Sequence, residues 1–200
     1  MSRVTCQISV SLDGFVAGPR QGPDDPIGVG GMRLHRWVFD SEENSLDRRI
    51  ANSVVGDNGA FVMGRNMFGP GRGEWDESWR GWLGKDPPYH RPVFVLTHHE
   101  RAPLEMQGGT TFHFVTGGIE DALEQARAAA GPKDVSIAGG ASTVNQYLAA
   151  GHIDELFLHV APVVLGDGAR LFEGLGDLQL EPVEAVHSPL ATHVRYRVAS

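Results

Sequence analysis

Apolar and polar positions alternate from the start of the chain. In VTCQISVSL (Val4 to Leu12), Val4, Cys6, Ile8 and Val10 share one side of a period-two pattern, which predicts a strand. Asp13-Gly14 breaks it, and Phe15-Val16-Ala17 resumes it briefly before Gly18-Pro19. Residues 18 to 33 are rich in Gly, Pro and Asp and predict a loop, of a length that is usually functional or mobile in a compact domain. Leu34, Trp37, Val38 and Phe39 make an apolar cluster beside it. Ser41, followed by Glu42 and Glu43, predicts a helix start. Leu46, Ile50 and Val54 carry that helix, at a spacing of four, to about Val55, and Gly56-Asp57-Asn58-Gly59 ends it.

The pattern then switches between short apolar runs and helical spacing. Ala60 to Met63 predicts a strand followed at once by Gly64-Arg65-Asn66. Residues 69 to 91 predict no regular element; they are Gly-rich and hold Trp75, Trp79 and Trp82. Pro92 to Leu96 and Thr110 to Val115 predict strands rich in β-branched and aromatic residues. Gly118 to Ala130 predicts a helix, with Ile119, Leu123 and Ala126 on one face. Ile153 to Val160, Leu178 to His187 and Thr192 to Val198 predict three more strands, the last two joined at Ser188-Pro189. Strands separated by helices predict a parallel layout, and the strand-rich tail adds antiparallel pairs, so one α/β domain with a mixed sheet over residues 1–200 is expected.

The central stretch is VSIAGGASTVNQYL, from Val135 to Leu148. It predicts a short buried strand over Val135 to Ala138, a turn at Gly139-Gly140, and a helix with Ser142 or Thr143 near its start. Val144, Tyr147 and Leu148 fall at i, i+3 and i+4, which gives that helix one apolar face. Glycine lets a ligand lie against the backbone, and a helix start offers free N–H groups to an anion such as phosphate. A tight connection without any ligand fits this stretch equally well.

Composition narrows the classes. The net charge of −8 argues against non-specific nucleic-acid binding. A hydrophobic fraction of 41% is enough to bury a proper core. The lone cysteine, Cys6, falls in the first strand and reads as a small buried residue. No run approaches the ~18 apolar residues of a membrane helix. No basic region followed by an apolar run opens the chain, so a soluble cytoplasmic protein without nucleic-acid or membrane partners is expected. His98 and His99 are adjacent rather than at i, i+4, and no His/Cys ligand spacing occurs, so no metal site is expected. His159, on a predicted strand, reads as a satisfied core or interface residue.

Three predicted strand ends carry chemistry: Gly64-Arg65-Asn66, Thr97-His98-His99 and Gly139-Gly140-Ala141-Ser142. In a parallel sheet, ligands bind beyond the carboxyl ends of the strands. These ends would therefore meet on one edge and offer glycine backbone, a guanidinium and hydroxyls to a phosphate-rich ligand. Neither a complete GxGxxG nor a GxxxxGK[ST] occurs, so the usual dinucleotide and P-loop fingerprints are absent.

The ordered set of motifs resembles the dihydrofolate reductase-like family, and within it the reductase (RibD C-terminal) domain of riboflavin biosynthesis and its stand-alone relatives. The resemblance rests on SLDGFVAG (Ser11 to Gly18), FVMGRNMFG (Phe61 to Gly69), FVLTHH (Phe94 to His99), SIAGGASTVNQYL and IDELFLHVAPVVLGDGARLF (Ile153 to Phe172). It implies a three-layer α/β/α fold and an NADPH-dependent reductase of a small flat heterocycle. It implies that Gly139, Gly140, Ser142 and Thr143 hold pyrophosphate. Gly64 and Arg65 would bind pyrophosphate or the adenosine 2′-phosphate, Thr97 and His98 would bond that phosphate, and Ala17 would face the nicotinamide. Asp13 would orient the first loop or touch substrate, as the single candidate catalytic residue. The late strands would form a homodimer.

Two departures stand out. Dihydrofolate reductases proper carry an acid on the helix before the glycine–arginine motif; here Asp47 occupies that helix and reads as a solvated residue. The zinc deaminase domain that usually accompanies the biosynthetic reductase is not present in this sequence. Arg33, Arg36 and Arg72 are candidates for a substrate phosphate, or are simply solvated, and the tryptophans for an apolar pocket or for core packing. A non-catalytic or flavin-binding protein on the same scaffold is the alternative.

Overall fold

The computed structural model describes residues 2–56, 58–69 and 71–199. The expected turn at residues 56–59 and the irregular stretch from 69 include Asp57 and Pro70, which lie outside the described residues. In chain order the elements are β1 (Val4–Ser11), β2 (Phe15–Ala17), a 3-10 turn (Gly31–His35) running into α1 (Arg36–Phe39), α2 (Leu46–Val55), β3 (Ala60–Gly64) and α3 (Arg65–Phe68). There follow β4 (Pro92–Leu96), β5 (Leu104–Glu105), β6 (Thr111–Val115), α4 (Gly118–Ala130), β7 (Val135–Gly139) and α5 (Ala141–Ala149). The tail holds β8 (Glu155–Ala161), β9 (Ala169–Arg170), β10 (Leu180–His187) and β11 (Thr192–Val198).

Nine strands form one sheet in the order β10-β11-β8-β1-β7-β3-β4-β6-β5. The run from β8 to β6 is parallel. The β10–β11 hairpin closes one edge antiparallel to β8, and β5 closes the other antiparallel to β6. The mixed sheet is therefore as the pattern predicts. β2 and β9 pair separately.

The pleat sorts β1 into two faces. Val4, Cys6, Ile8 and Val10 face the main core, together with Ile137, Leu156 and Leu158. Helices α4 and α5 cover this face with Ala122, Leu123 and Ala126, and with Val144, Tyr147 and Leu148. Each large side chain so buried contributes about 1.5–3 kcal/mol. The Tyr147 hydroxyl, buried with its ring, donates to Ile119 O at 2.8 Å and locks α5 to α4. On the other face, Phe61, Met63, Val93, Val95 and Phe112 pack beneath Phe68, with Trp75 and Trp79 of the irregular segment laid over them. Core packing is thus what Trp75 and Trp79 do.

Several local expectations are corrected. The cap of α2 is Ser45, whose hydroxyl accepts the Arg48 N–H at 3.1 Å; the Ser41 hydroxyl instead donates to Val38 O. Phe39 leaves the expected apolar cluster and is 63% exposed, whereas Leu34 and Trp37 are buried. The single turns α1 and α3 and the two-residue strands β5 and β9 are too short to leave a period in the sequence. Asp47, expected in solvent, is the buried residue of α2.

Candidate functional site

The carboxyl ends of β1, β3, β4 and β7 open on one cavity of about 800 Å³. Its wall brings together Gly64-Arg65-Asn66, Thr97-His98-His99 and, from the predicted Gly139-Gly140-Ala141-Ser142, the last three residues, with Thr143 beside them. Ala17 lies across from them, beside Ala169 of the β2–β9 ribbon. Among the described residues no Asp or Glu lines the cavity, while Arg65, Arg72, His35, His98 and His99 do. In a chain of net charge −8 this is a local basic pocket of the kind that accepts anions.

Each part of the wall has a local cause. β3 ends where Gly64 packs against the Thr143 hydroxyl, a contact that leaves no room for a Cβ. Thr143 itself is 5% exposed. Arg65 then starts α3, and its guanidinium carbon stands 3.8 Å from the centroid of the Trp75 ring. Its Nη2 donates to Glu74 O at 3.3 Å, whereas its buried Nε has no partner. Burial lowers the Arg65 pKa, opposed by the charge of Glu74. The Trp-rich segment is held to this edge because Trp75 Nε1 donates to His99 O at 2.8 Å. The Thr97 hydroxyl accepts the His99 N–H at 3.1 Å, which folds the chain back at the end of β4.

At the end of β7, Gly139 has φ +124°, a region open to glycine, and a Cβ there would meet Met67 Sδ at 2.9 Å. Gly139 does not line the cavity; it shapes the turn, and Gly140 is the glycine exposed to the cavity. A Cβ on Gly140 would meet nothing within 4 Å, so the space before α5 is open. No side chain caps α5, and the N–H groups of its first turn face that space without a side-chain acceptor.

Asp13 orients the first loop, the first of the two roles expected of it. Its carboxylate accepts the N–H groups of Leu165 at 3.1 Å and Gly166 at 2.6 Å, and it does not line the cavity. Hydrogen bonding from the Ser11 hydroxyl, then from these two backbone amides, holds its pKa down to about 2. Asp13 ties the β1–β2 turn to the segment after β8, and it stands outside the cavity lining. Of the candidate arginines, Arg72 lines the cavity, Arg33 is spent on Gly30 O and Val164 O, and Arg36 pairs with Asp40. Trp82 lines the cavity, unlike the other tryptophans of its segment.

Gly64 to Thr143 thus form a single basic, glycine-edged site at the sheet's carboxyl edge, and the sequences that build it have relatives. A model of RibD C-terminal domain sequences matches residues 2–194. The chain belongs to the RibD C-terminal domain family. Among curated proteins it is 24% identical over 177 residues to the uncharacterized protein YyaP of Bacillus subtilis, covering 85% of this chain and 80% of YyaP. Among solved structures it is similar to a provisionally assigned riboflavin biosynthesis protein from Shewanella sp. PV-4 (TM-score 0.68, 22% identity, 99% of each chain). It is similar also to Enterococcus faecalis dihydrofolate reductase complexed with NADP(H) and RAB-propyl (TM-score 0.59, 16% identity, 99% of this chain and 97% of that one). These likenesses show the three-layer α/β fold expected of this RibD C-terminal domain.

Among the described residues no group of three or more His, Cys, Asp or Glu side chains is placed to hold a metal ion. Nor is any helix long and apolar enough to cross a membrane. One residue of the cavity wall, His35, was not singled out in the sequence, and His159 is buried as its strand position suggested. Beneath His35 lies a buried chain of polar side chains that includes Asp47 and His159.

Proposed function

We propose that this RibD C-terminal domain is an NADPH-dependent reductase of a small flat heterocycle, pterin- or aminouracil-like. The observation that carries the reading is the convergence of Arg65, Thr97, His98 and the open α5 start on one cavity that, among the described residues, no carboxylate lines. The residues present fit the cofactor: the buried Arg65 Nε lacks a partner, and the space before Gly140 is open to a phosphate. Gly140, Ser142 and Thr143 would hold the pyrophosphate, with Gly139 shaping the turn beneath it. Arg65, Gly64, Thr97 and His98 would hold the adenosine 2′-phosphate, and Ala17 would border the nicotinamide. When bound, the reduced nicotinamide supplies hydride; the chain supplies orientation and electrostatics. The apolar wall of Ile8, Val16, Ile27 and Trp82 suits a flat ring.

The same reading makes the protein a cytoplasmic homodimer, joined through its late strands. β10 is the sheet edge there and exposes Val183. The test of the cofactor assignment is Arg65→Ala, measured by equilibrium binding. It should weaken NADPH by ~1.5–3 kcal/mol, the worth of a charged hydrogen bond, and NADH much less. Equal losses for both nucleotides would remove Arg65 from the 2′-phosphate.

A further inference from the structure

A single imidazole stands at the end of the cavity that suits a flat ring. His35 ends the 3-10 turn Gly31–His35, which packs against β1, β2 and β8. Ile8 and Ser9 of β1, Val16 and Ala17 of β2, and Ile27 line the cavity with it. The turn is fixed on both sides of the histidine. Leu34 and Trp37 are buried, and the Trp37 Nε1 donates to Ser9 Oγ at 2.9 Å. The Arg33 guanidinium donates to Gly30 O and Val164 O. A Cβ on Gly31 would meet Ile27 Cγ2 at 2.9 Å, so the turn lies directly on the first loop. His35 is therefore held in place, as a group that recognises a ligand must be.

The polar atoms of this wall are only partly used. His35 Nδ1 is buried without a partner, so the ring meets the cavity by its opposite edge, which carries Nε2. Ser9 Oγ accepts from Trp37 and keeps its own proton to donate. That proton does not go to the nearby His159, whose Nε2 is buried without a partner. Asp47 of α2 is spent on His193, at 2.8 Å, and does not line the cavity. What this wall offers a ligand is one ring nitrogen and one hydroxyl proton.

We propose that His35 and Ser9 together recognise a lactam edge of the heterocycle, with His35 Nε2 accepting a ring N–H and the Ser9 hydroxyl donating to the adjoining C=O. This rests on the reductase reading above and makes the two residues its specificity determinants. A lactam carries N–H and C=O side by side, which is the complement of that pair. The ring so selected is neutral. A protonated ring would bring its charge against Arg65 and Arg72 in a cavity that, among the described residues, no carboxylate lines. A ring methylated on that nitrogen leaves His35 Nε2 without a donor and is rejected. Burial lowers the His35 pKa, opposed by the Gly31 backbone, so at pH 7 the imidazole is neutral and has a lone pair to accept with.

The test is calorimetric titration of the full chain, with NADP⁺ present, using 6-aminouracil and 6-amino-1,3-dimethyluracil as probes. The wild type should bind the first at least about 10-fold more tightly than the second. His35→Phe should weaken 6-aminouracil about 10-fold and leave the dimethyl probe unchanged, so that the discrimination collapses. His35→Gln, whose amide oxygen accepts, should restore part of it, and Ser9→Ala should weaken both probes, since both keep the C=O. ¹⁵N NMR of the histidine-labelled wild type reads the contact without any substitution: in the complex with 6-aminouracil, His35 should carry its proton on Nδ1, with Nε2 shifted by the bond it accepts. An Nε2–H tautomer or a cationic ring in that complex would overturn the proposal. So would equal losses of both probes in His35→Phe, or no binding of 6-aminouracil to the wild type. NADPH binding is measured on the same samples, so a failed cofactor reading shows as absent nucleotide binding, and a failed lactam reading as absent discrimination between the probes.

Discussion

The two faces of the sheet are built from alternate residues of the same strands and are held by different physics. Under α4 and α5 the face is apolar, closed by Leu156, Val144 and Tyr147, and needs only volume and shape. Under α1 and α2 the face carries Ser9, His159 and His193, and needs a hydrogen bond for each buried polar atom. The first face tolerates change in proportion to the volume removed. The second fails when a single partner is lost, because the group left behind is buried and unsatisfied.

The largest effect that would break this comparison is at Asp47. Asp47→Leu should destabilise by about 3–5 kcal/mol, since it leaves His193 buried without its partner. Replacing Asp47, His159 and His193 together by apolar residues should cost much less than the sum of the single changes, as read from urea unfolding. Additive losses would mean that the row is not one network. On the other face, Leu156→Ala should cost about 2–5 kcal/mol, from lost transfer energy and the cavity left behind.

The faces should also respond differently to acid. The His159 pKa falls from 6.5 in the unfolded chain to about 3 in the native state. Below pH 6.5 the unfolded chain therefore binds a proton that the native state does not, so stability is full above that pH and declines toward pH 3. His35, lowered mainly by burial, acts in the same direction. His159→Phe should flatten the decline in the urea midpoint, whereas Leu156→Ala should lower stability by the same amount at every pH. The smallest effect is at the one polar tip in the apolar face: Tyr147→Phe, which removes the bond to Ile119 O, should cost about 1 kcal/mol.

The apolar face was legible in the sequence because periodicity reports it directly. β4, α4 and β11 begin and end where the pattern puts them, and Val144, Tyr147 and Leu148 face the core as their spacing requires. The cavity was legible as three strand ends, since a parallel sheet must bring those ends to one edge. The polar face was not. Leu46, Ile50 and Val54 suggest that α2 packs through an apolar stripe, yet its buried residue is Asp47. The polar positions of β1 and β11 look like a solvent-facing side, because alternation cannot tell a wet face from one covered by a later segment. What was available in the sequence was two histidines on strands that end up adjacent. Their partnership depends on β8 and β11 being neighbours, a tertiary fact.

The most direct measurement of the central claim is a titration of the full chain with NADPH and with NADH, followed by fluorescence of its four tryptophans, Trp82 among them at the cavity wall. Saturable quenching with clear preference for NADPH is the result the basic, glycine-edged cavity predicts. Binding of neither nucleotide would mean that Gly64 and Gly140 only turn the chain, and would contradict the reductase reading.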